Sequence, residues 1–599
     1  MLGGTEVVAD PDVGFIAAGP ERGQGPEAIV RGFLLAAQSG PTMPTMFAAA
    51  RQYLTLDAAH AWRPNAQVWV MDETAALTVT ETEDPNRVTV HATGQAVATV
   101  SDQGIYEEFR FPVPHTLDFD LVYNGEDWRI SGLDDGIVMP AQVFTATFRY
   151  TKLYHPSLDY RTWVPDVRWF PQTTWRTSAV QALLAGPPSF LVDVVQPAVP
   201  ENAAVQLEEI SEVEHGGMVV RLRGWLRDAD AFNRALFQAQ LALLLTDGSG
   251  TQPVDLADNQ GLIPVPSFSL PQMPQTEGPA VAIADDALYW VFGRDLVLVN
   301  PQVELADLNI TAIATAPGGH DGVVVREGYH TLWWIEPSGA SGLEVGESLA
   351  DDELTDGDLL SGAGLAGGEP GSPLGAATPL GPAVPDGATD GDSELLPEIP
   401  PGRVVLLTGE SLIAPSIDEE GLVWTGELQG PIEVVDYLGN VSEVTANWLG
   451  DILIQHLNVA PGGRRVALVT WDEDAGTRIL VAGVIRNAEG IPIGLAQPIE
   501  VGASIRDVGA VSWQSDAVLA VIGWLAGVHG VYQVGVGGLD APGGLPRFIP
   551  GISEPRWLTA SVGSGNMLAI DGESALHLRE ATSLWPIVGR EVTFVAYPG

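Results

Sequence analysis

Apolar positions keep a helical period in a few short stretches near the start of the chain and again near residues 175–243. Elsewhere they alternate or run together as strands do. Ile29, Val30, Phe33, Leu34 and Ala37 share one helical face, and Gly40-Pro41 ends it. Further helical pieces follow around 46–54. From Val68 the pattern is strand-like, at 75–82, 87–100, 105–113 and 116–123, and Asn124-Gly125 reads as a hairpin turn into Trp128-Arg129-Ile130. A second α+β unit starts near Ile137. It has a strand over 145–154 and a helix over 175–184, with Ala179, Val180, Leu183 and Leu184 on one face and Gly186-Pro187-Pro188 as its stop. After a strand at 218–222, Asp228 or Asp230 caps a helix with Phe232, Ala235, Leu236, Ala239 and Leu243 in one stripe.

Past 275 the signal is all β. Paired strand runs recur at 280–299, 310–336, 403–436, 452–485, 508–536 and 556–580, and 585–597 offers a closing strand. Two distant stretches nearly repeat each other. Ala316-Pro317-Gly318-Gly319 leads to Val323-Val324-Val325, and Ala460-Pro461-Gly462-Gly463 leads through Arg464-Arg465 to Val466-Ala467-Leu468-Val469. Each is a tight turn feeding an apolar strand. They are offset by 144 residues; without the low-complexity insert near 343–400, two units of about 43 remain, the length of a four-stranded propeller blade. Ala541-Pro542-Gly543-Gly544 repeats the four letters with no comparable strand behind it, so turn, strand and spacing carry the repeat together.

The expected fold is therefore multidomain: two small α+β domains, then an all-β propeller of about six blades. The expected boundaries are a flexible leader over 1–25, α+β domains over 26–136 and 137–262, a linker over 263–278 and the propeller over 279–599. Within the propeller, 343–400 is rich in Gly, Pro, Ala and acid and is expected to be a disordered acidic insert.

Composition narrows the partners. Lys and Arg number 28 against 77 Asp and Glu, a formal charge of −49, which repels nucleic acid and anionic lipid surfaces. Lys152 is the one lysine, and there is no cysteine, which removes disulfides, thiol catalysis and thiolate metal sites. No apolar run is long enough to span a bilayer, and the first residues lack the basic and apolar regions of a signal peptide.

Candidate chemistry is sparse. Gly362-Ala363-Gly364-Leu365-Ala366-Gly367 fits a dinucleotide fingerprint in letters only, since both flanks are low complexity rather than strand and helix. Asp472-Glu473-Asp474-Ala475-Gly476 lacks the alternating ligands and late Glu of a calcium loop and reads as an acidic turn; the acidic run over 347–358 reads as a solvated loop. His320-Asp321 sits in a blade turn and reads as a structural hydrogen bond. No zinc-binding helix motif and no G-x-S-x-G elbow is present. No cofactor, metal or catalytic residue is expected. Trp163, Trp169, Phe170 and Trp175 cluster in a loop-like stretch of the central unit. They serve either as a ligand-binding aromatic surface or as packing against a neighbouring domain.

Three segments carry a resemblance to a known family: Gly125-Glu126-Asp127-Trp128-Arg129-Ile130 with Leu133-Asp134-Asp135-Gly136-Ile137-Val138-Met139; an aromatic strand with Arg149-Tyr150 and Leu153-Tyr154, then the turn Val164-Pro165-Asp166-Val167-Arg168-Trp169; and Leu183-Leu184-Ala185-Gly186-Pro187. In this order they resemble the actinobacterial LpqB lipoprotein family over essentially the whole chain. The resemblance implies an N-terminal LpqB domain, a central GerMN domain and a C-terminal propeller-like domain. It also implies a lipid-anchored protein outside the cytoplasmic membrane, associated with a two-component sensor histidine kinase and with cell-wall and division control. The family anchors through a cysteine, and this sequence has none. The expected function is a non-enzymatic cell-envelope protein that binds protein partners and modulates such a kinase. The alternatives are a peptidoglycan or carbohydrate binder, motivated by the aromatic cluster, and a hydrolase in the propeller pore.

Overall fold

The computed structural model describes residues 18–43, 46–197, 199, 204–213, 216–246, 248–299, 303, 305–317, 322–336, 403–580 and 584–599. The leader up to residue 17, the 343–400 insert, the glycine fingerprint at 362–367, the acidic run at 347–358 and His320-Asp321 lie outside the described residues.

The first domain wraps a helix, Pro26–Ser39, against a sheet. The strands run in the order Trp128–Gly132, Tyr106–Tyr123, Arg87–Ser101, Gln67–Met71, Ile137–Pro140, and Ala76–Glu81 also pairs with Arg87–Ser101. The helix buries Ile29, Val30, Phe33, Leu34 and Ala37, the face read from the sequence. Two strands expected at 105–113 and 116–123 are one, Tyr106–Tyr123. Ile137–Pro140 pairs in parallel with Gln67–Met71, and Phe144 and Phe148 join the same core, so this domain runs past residue 136. Residues 145–147, expected to open a strand, close the short helix Ala141–Thr147 instead.

The second domain has the strand order Gly261–Leu262, Val254–Asp258, Met218–Arg223, Gln206–Glu212, covered by the helices Trp175–Ala185 and Ala231–Leu245. Asp230 is the cap: its carboxylate accepts the Asn233 N–H at 2.9 Å. A separate two-stranded hairpin, Phe148–Pro156 with Trp163–Pro171, packs against these two helices. The stretch that looked like a loop is thus a strand. Pro165 and Pro171 disguise it. Trp163 and Trp169 turn their N–H groups away from the hairpin partner, towards Gln272 and Gly104, and Pro165 shares their parity, so its missing N–H removes no bond within the hairpin.

The remaining described residues form a propeller of six sheets. From the axis outward, blade 1 is Val592–Ala596, Ala280–Ala284, Ala287–Phe292 and Asp295–Leu298; the C-terminal strand supplies its innermost position. Blade 2 begins with Ile310–Thr315 and ends with Arg403–Thr408, so the insert interrupts it between its third and fourth strands, and 403–408 belongs with 310–335 rather than with the next blade. The innermost strands of blades 3 to 6 are Ser416–Ile417, Leu453–Val459, Arg506–Trp513 and Trp557–Ala560. Each of the six touches the next, and Trp557–Ala560 touches Val592–Ala596, which closes the ring. The two repeated turns fall at equivalent places, between the first and second strands of blades 2 and 4.

The ring has a repeated polar latch. At one end of an innermost strand, a short polar side chain accepts a backbone N–H from the next blade. Ser416 takes Val459 at 3.0 Å, Asn458 takes Trp513 at 3.2 Å, Ser512 takes Ala560 at 2.9 Å and Thr559 takes Tyr597 at 3.0 Å. The two remaining equivalent positions are Ala596 and Ala314, neither of which has a polar side chain; next to Ala314, Thr315 buries a hydroxyl that has no partner among the described residues. Both lie beside blade 2.

Candidate functional site

The hairpin is the hub of the molecule. Its strand Trp163–Pro171 is buried at every position except Pro171. Towards the first domain, the indole of Trp169 lies among Tyr106, Phe144 and Tyr150, with ring centroids 6.4, 4.8 and 5.5 Å away. Towards the propeller, its Nε1 donates to the Gly537 carbonyl at 3.0 Å, and Tyr106 Oη donates to the Gly543 carbonyl at 2.9 Å. Close approach explains two glycines. A Cβ on Gly104 (φ +79°) would sit 2.7 Å from the Trp169 carbonyl oxygen, and one on Gly537 (φ +93°) would sit 2.9 Å from Val167. The third Ala-Pro-Gly-Gly stretch is therefore a docking turn.

A chain of charges ties the hairpin to blades 3 to 5. Lys152 Nζ donates to Asp516 at 2.6 Å and Tyr154 Oη donates to the same carboxylate at 3.1 Å, while Arg465 reaches the Asp516 carbonyl. Burial and the Asp516 charge hold the Tyr154 phenol far above its usual range, and burial pulls Arg465 down to about 10. Beside it, Arg464 bridges Asp159 at 2.7 Å and Glu419 at 3.3 Å, and Arg486 pairs with Asp418 at 2.7 Å and Glu420 at 3.2 Å. Burial raises Glu420 to about 7, against the opposing pull of Arg486. Within the hairpin, fully buried Asp166 takes Arg168 at 2.7 Å and His155 at 3.4 Å, and those two partners draw its carboxyl below its usual range despite burial. Most of these charges are paired, while Arg464 Nε and Arg465 Nη1 are buried with no partner among the described residues; the pairs fix orientation rather than poise a nucleophile.

Of the aromatic cluster, Trp163, Trp169 and Phe170 are buried and offer no open ring face; Trp175 starts a helix and lies under the guanidinium of Arg149, 4.3 Å from the ring centroid. The sequence reading gave no role to Tyr106, Tyr154, Asp516 or Gly537. One signal stood in plain view: paired arginines heading an apolar strand, with the chain's one lysine on another.

Two openings adjoin the hub. A cleft of about 310 Å³ lies between the first and second domains, with Trp169 and Phe170 at its floor. At the latched end of the propeller axis an opening of about 10 Å³, room for about one water, is lined by Asn458, Ser512, Thr559 and residues 597–599. Thr276 of the linker lines it too, exchanging hydrogen bonds with Val562 at 2.9 Å each way. No group of three or more His, Asp and Glu side chains suited to a metal occurs among the described residues, and in the Asp472–Ala475 turn the Asp472 carboxylate accepts the Ala475 N–H.

Comparison with known proteins agrees with this layout. Residues 19–145 match the N-terminal domain of lipoprotein LpqB, and residues 390–544 match the lipoprotein LpqB beta-propeller domain. In both regions the chain resembles the LpqB family. Lipoprotein LpqB of Streptomyces coelicolor is 26% identical over 580 residues, covering 91% of this chain and 86% of that protein. Lipoprotein LpqB of Bifidobacterium longum is 24% identical over 507 residues, covering 83% and 76%. Among solved structures, TolB from Acinetobacter baumannii overlaps at 12% identity and a TM-score of 0.30, covering 66% of this chain and 82% of that one. The first LpqB match ends at 145, near the end of the helix that completes the first core. No helix among the described residues is long and apolar enough to cross a membrane.

Proposed function

We propose that this LpqB-like chain is a cell-envelope recognition protein without catalytic chemistry of its own. It acts on the outer side of the cytoplasmic membrane by holding a protein partner, the extracytoplasmic segment of a membrane sensor histidine kinase linked to wall and division control. The observation that supports this reading most is the hub. Buried rings and charge pairs join both small domains to the propeller, while linker and C-terminus line the latched end of the axis. Such a body is built to present fixed surfaces. A partner held by several domains at once feels their relative geometry, and binding one kinase state better shifts its signalling equilibrium. A tenfold preference corresponds to about 1.4 kcal/mol, a modest demand on an interface. The family also supplies the envelope setting and the expectation of a GerMN-type central domain.

The test is affinity capture from solubilised envelopes of the source bacterium, followed by direct titration of the captured kinase's isolated extracytoplasmic segment. Saturable binding of that segment is expected. Capture of neither a kinase nor a wall-synthesis protein overturns the proposal.

A further inference from the structure

The cleft between the small domains is built like a ligand site. One wall is the turn Ser101–Gly104 of the first domain. Ser101 Oγ accepts the N–H groups of Gln103 and Ile105; Arg168 donates to the Gln103 carbonyl at 2.9 Å, and the Trp169 N–H donates to the Gly104 carbonyl at 2.9 Å. The opposite wall is the helix Trp175–Ala185 of the second domain, which turns Ser178, Gln181, Ala182 and Ala185 to the cleft. Both walls are pinned to the hairpin, so the gap exists before any ligand arrives, which lowers the ordering cost of binding. The volume, about 310 Å³, is at the small end of ligand sites, and domain junctions are where such sites concentrate.

The lining selects the ligand. Asn65, Asp102, Gln103 and Gln181 reach the cleft with side chains that make no hydrogen bond among the described residues. Three are carboxamides, which match peptide N–H and C=O groups. The fourth is the one charge in the lining, a carboxylate, and it and the chain's −49 charge both favour a positively charged guest. The floor of Val68, Phe148, Phe170 and Pro171 suits a methylene stem rather than a sugar ring, because its aromatic rings are almost wholly buried and leave little ring surface for stacking.

We propose that this cleft binds a short extended peptide segment of a partner protein through a lysine side chain, its stem on the apolar floor and its ammonium on Asp102. The proposal rests on the protein-binding reading above and names where and by what chemistry that partner is held.

The test uses the full chain and three blocked tripeptides: acetyl-Gly-Lys-Gly-amide, its norleucine counterpart and its glutamate counterpart. Binding is followed by saturation-transfer NMR at low salt. The lysine peptide is expected to bind, norleucine about fivefold weaker and glutamate weakest, as for one partly exposed charge contact. Ala182→Trp fills the cleft and should abolish binding. Asp102→Lys lies on an exposed turn where folding is not at stake, and it should reverse the preference to glutamate. No binding of the lysine peptide, or binding unchanged in both variants, overturns the proposal. So does a chito-oligosaccharide that binds in a cleft refusing all three peptides, which would make this a glycan site. If the peptides fail while the kinase segment still binds the full chain, this inference falls and the protein-binding function stands.

Discussion

Blades 3 to 6 and blade 2 are built from the same strand plan and joined to the ring differently. The arc from blade 3 through blade 6 to the closing strand is latched at each step by Ser416, Asn458, Ser512 and Thr559. It is also the arc on which the hairpin and linker sit, through Arg464, Arg465, Asp516, Gly537 and Val562. Blade 2 has no latch on either side among the described residues, and the insert leaves from its outer strands. Propeller blades each need a neighbour to cover their faces, so every blade shares an apolar seam. The polar latch is an addition, and it is spent where the ring must hold another domain. A latched arc and an unlatched blade 2 are the two halves of one comparison, and each can be attacked separately.

The largest effect should come from the strand that closes the ring. Val592 and Val595 are fully buried against Ala280–Ala284, and burial of one such side chain contributes about 1.5–3 kcal/mol before ladder hydrogen bonds are counted. Ending the chain at Arg590 therefore removes an amount comparable to the total stability of a typical domain. The propeller's cooperative melting transition should disappear in calorimetry. If it survives, the ring does not depend on closure and the contrast between its two arcs loses its basis.

Next comes the hub. Trp169→Ala empties the space between Tyr106, Phe144 and Gly537 and should cost about 3–5 kcal/mol. Lys152 makes the loss visible without a melt. It is the one lysine in the chain and is held on Asp516, so amine acylation, read by peptide mass, reports separation of hairpin and propeller. Labelling at Lys152 should be slow in the parent and faster in Trp169→Ala and in Asp516→Asn. Equal labelling in all three would mean that the hairpin is not clamped to the latched arc.

How much of this was legible follows from which contacts are local. The blades were readable because each repeats turn, apolar strand and turn over about 43 residues, and the Ala-Pro-Gly-Gly pair at 316 and 460 marked equivalent turns. Their membership was harder: an insert between the third and fourth strands of blade 2 moved 403–408 one blade along. The hub was mostly hidden. Tyr106 meets Gly543 across 437 positions of sequence and Lys152 meets Asp516 across 364, and nothing in local period or propensity encodes such pairs. Even the strand Trp163–Pro171 was masked, since its prolines look like breakers until the N–H directions are known.

A matched pair of single-atom changes tests the latch itself. Ser512→Ala strands the buried Ala560 N–H and should cost about 1–3 kcal/mol. Thr315→Val removes a hydroxyl that is buried without a partner and should be neutral or stabilising by up to about 1 kcal/mol. Denaturant melts of the two variants should move in opposite directions. If both destabilise alike, Thr315 holds a latch of its own and blade 2 is latched like the rest.

The smallest effect concerns the second contact on the latched arc. Glu108 of the first domain accepts the Ser504 N–H at 3.0 Å at the entry to blade 5, with Glu500, Arg110 and Arg506 around it. Burial lifts its carboxyl from 4.5 to about 7, more than the Ser504 hydrogen bonds lower it. The sign follows from proton counting. Between pH 4.5 and 7 the folded chain keeps a proton that the unfolded chain has lost, so this group's contribution to stability falls as pH rises through that window and is flat above it. Glu108→Gln keeps an acceptor for Ser504 and removes the titration. It should match the parent near pH 4.5 and exceed it by about 1–2 kcal/mol at pH 8, at roughly 1.4 kcal/mol per unit less what water screens. A variant that tracks the parent at every pH would place Glu108 in contact with solvent. The first domain would then lean on the ring through Tyr106, Arg110 and the hairpin's Trp169.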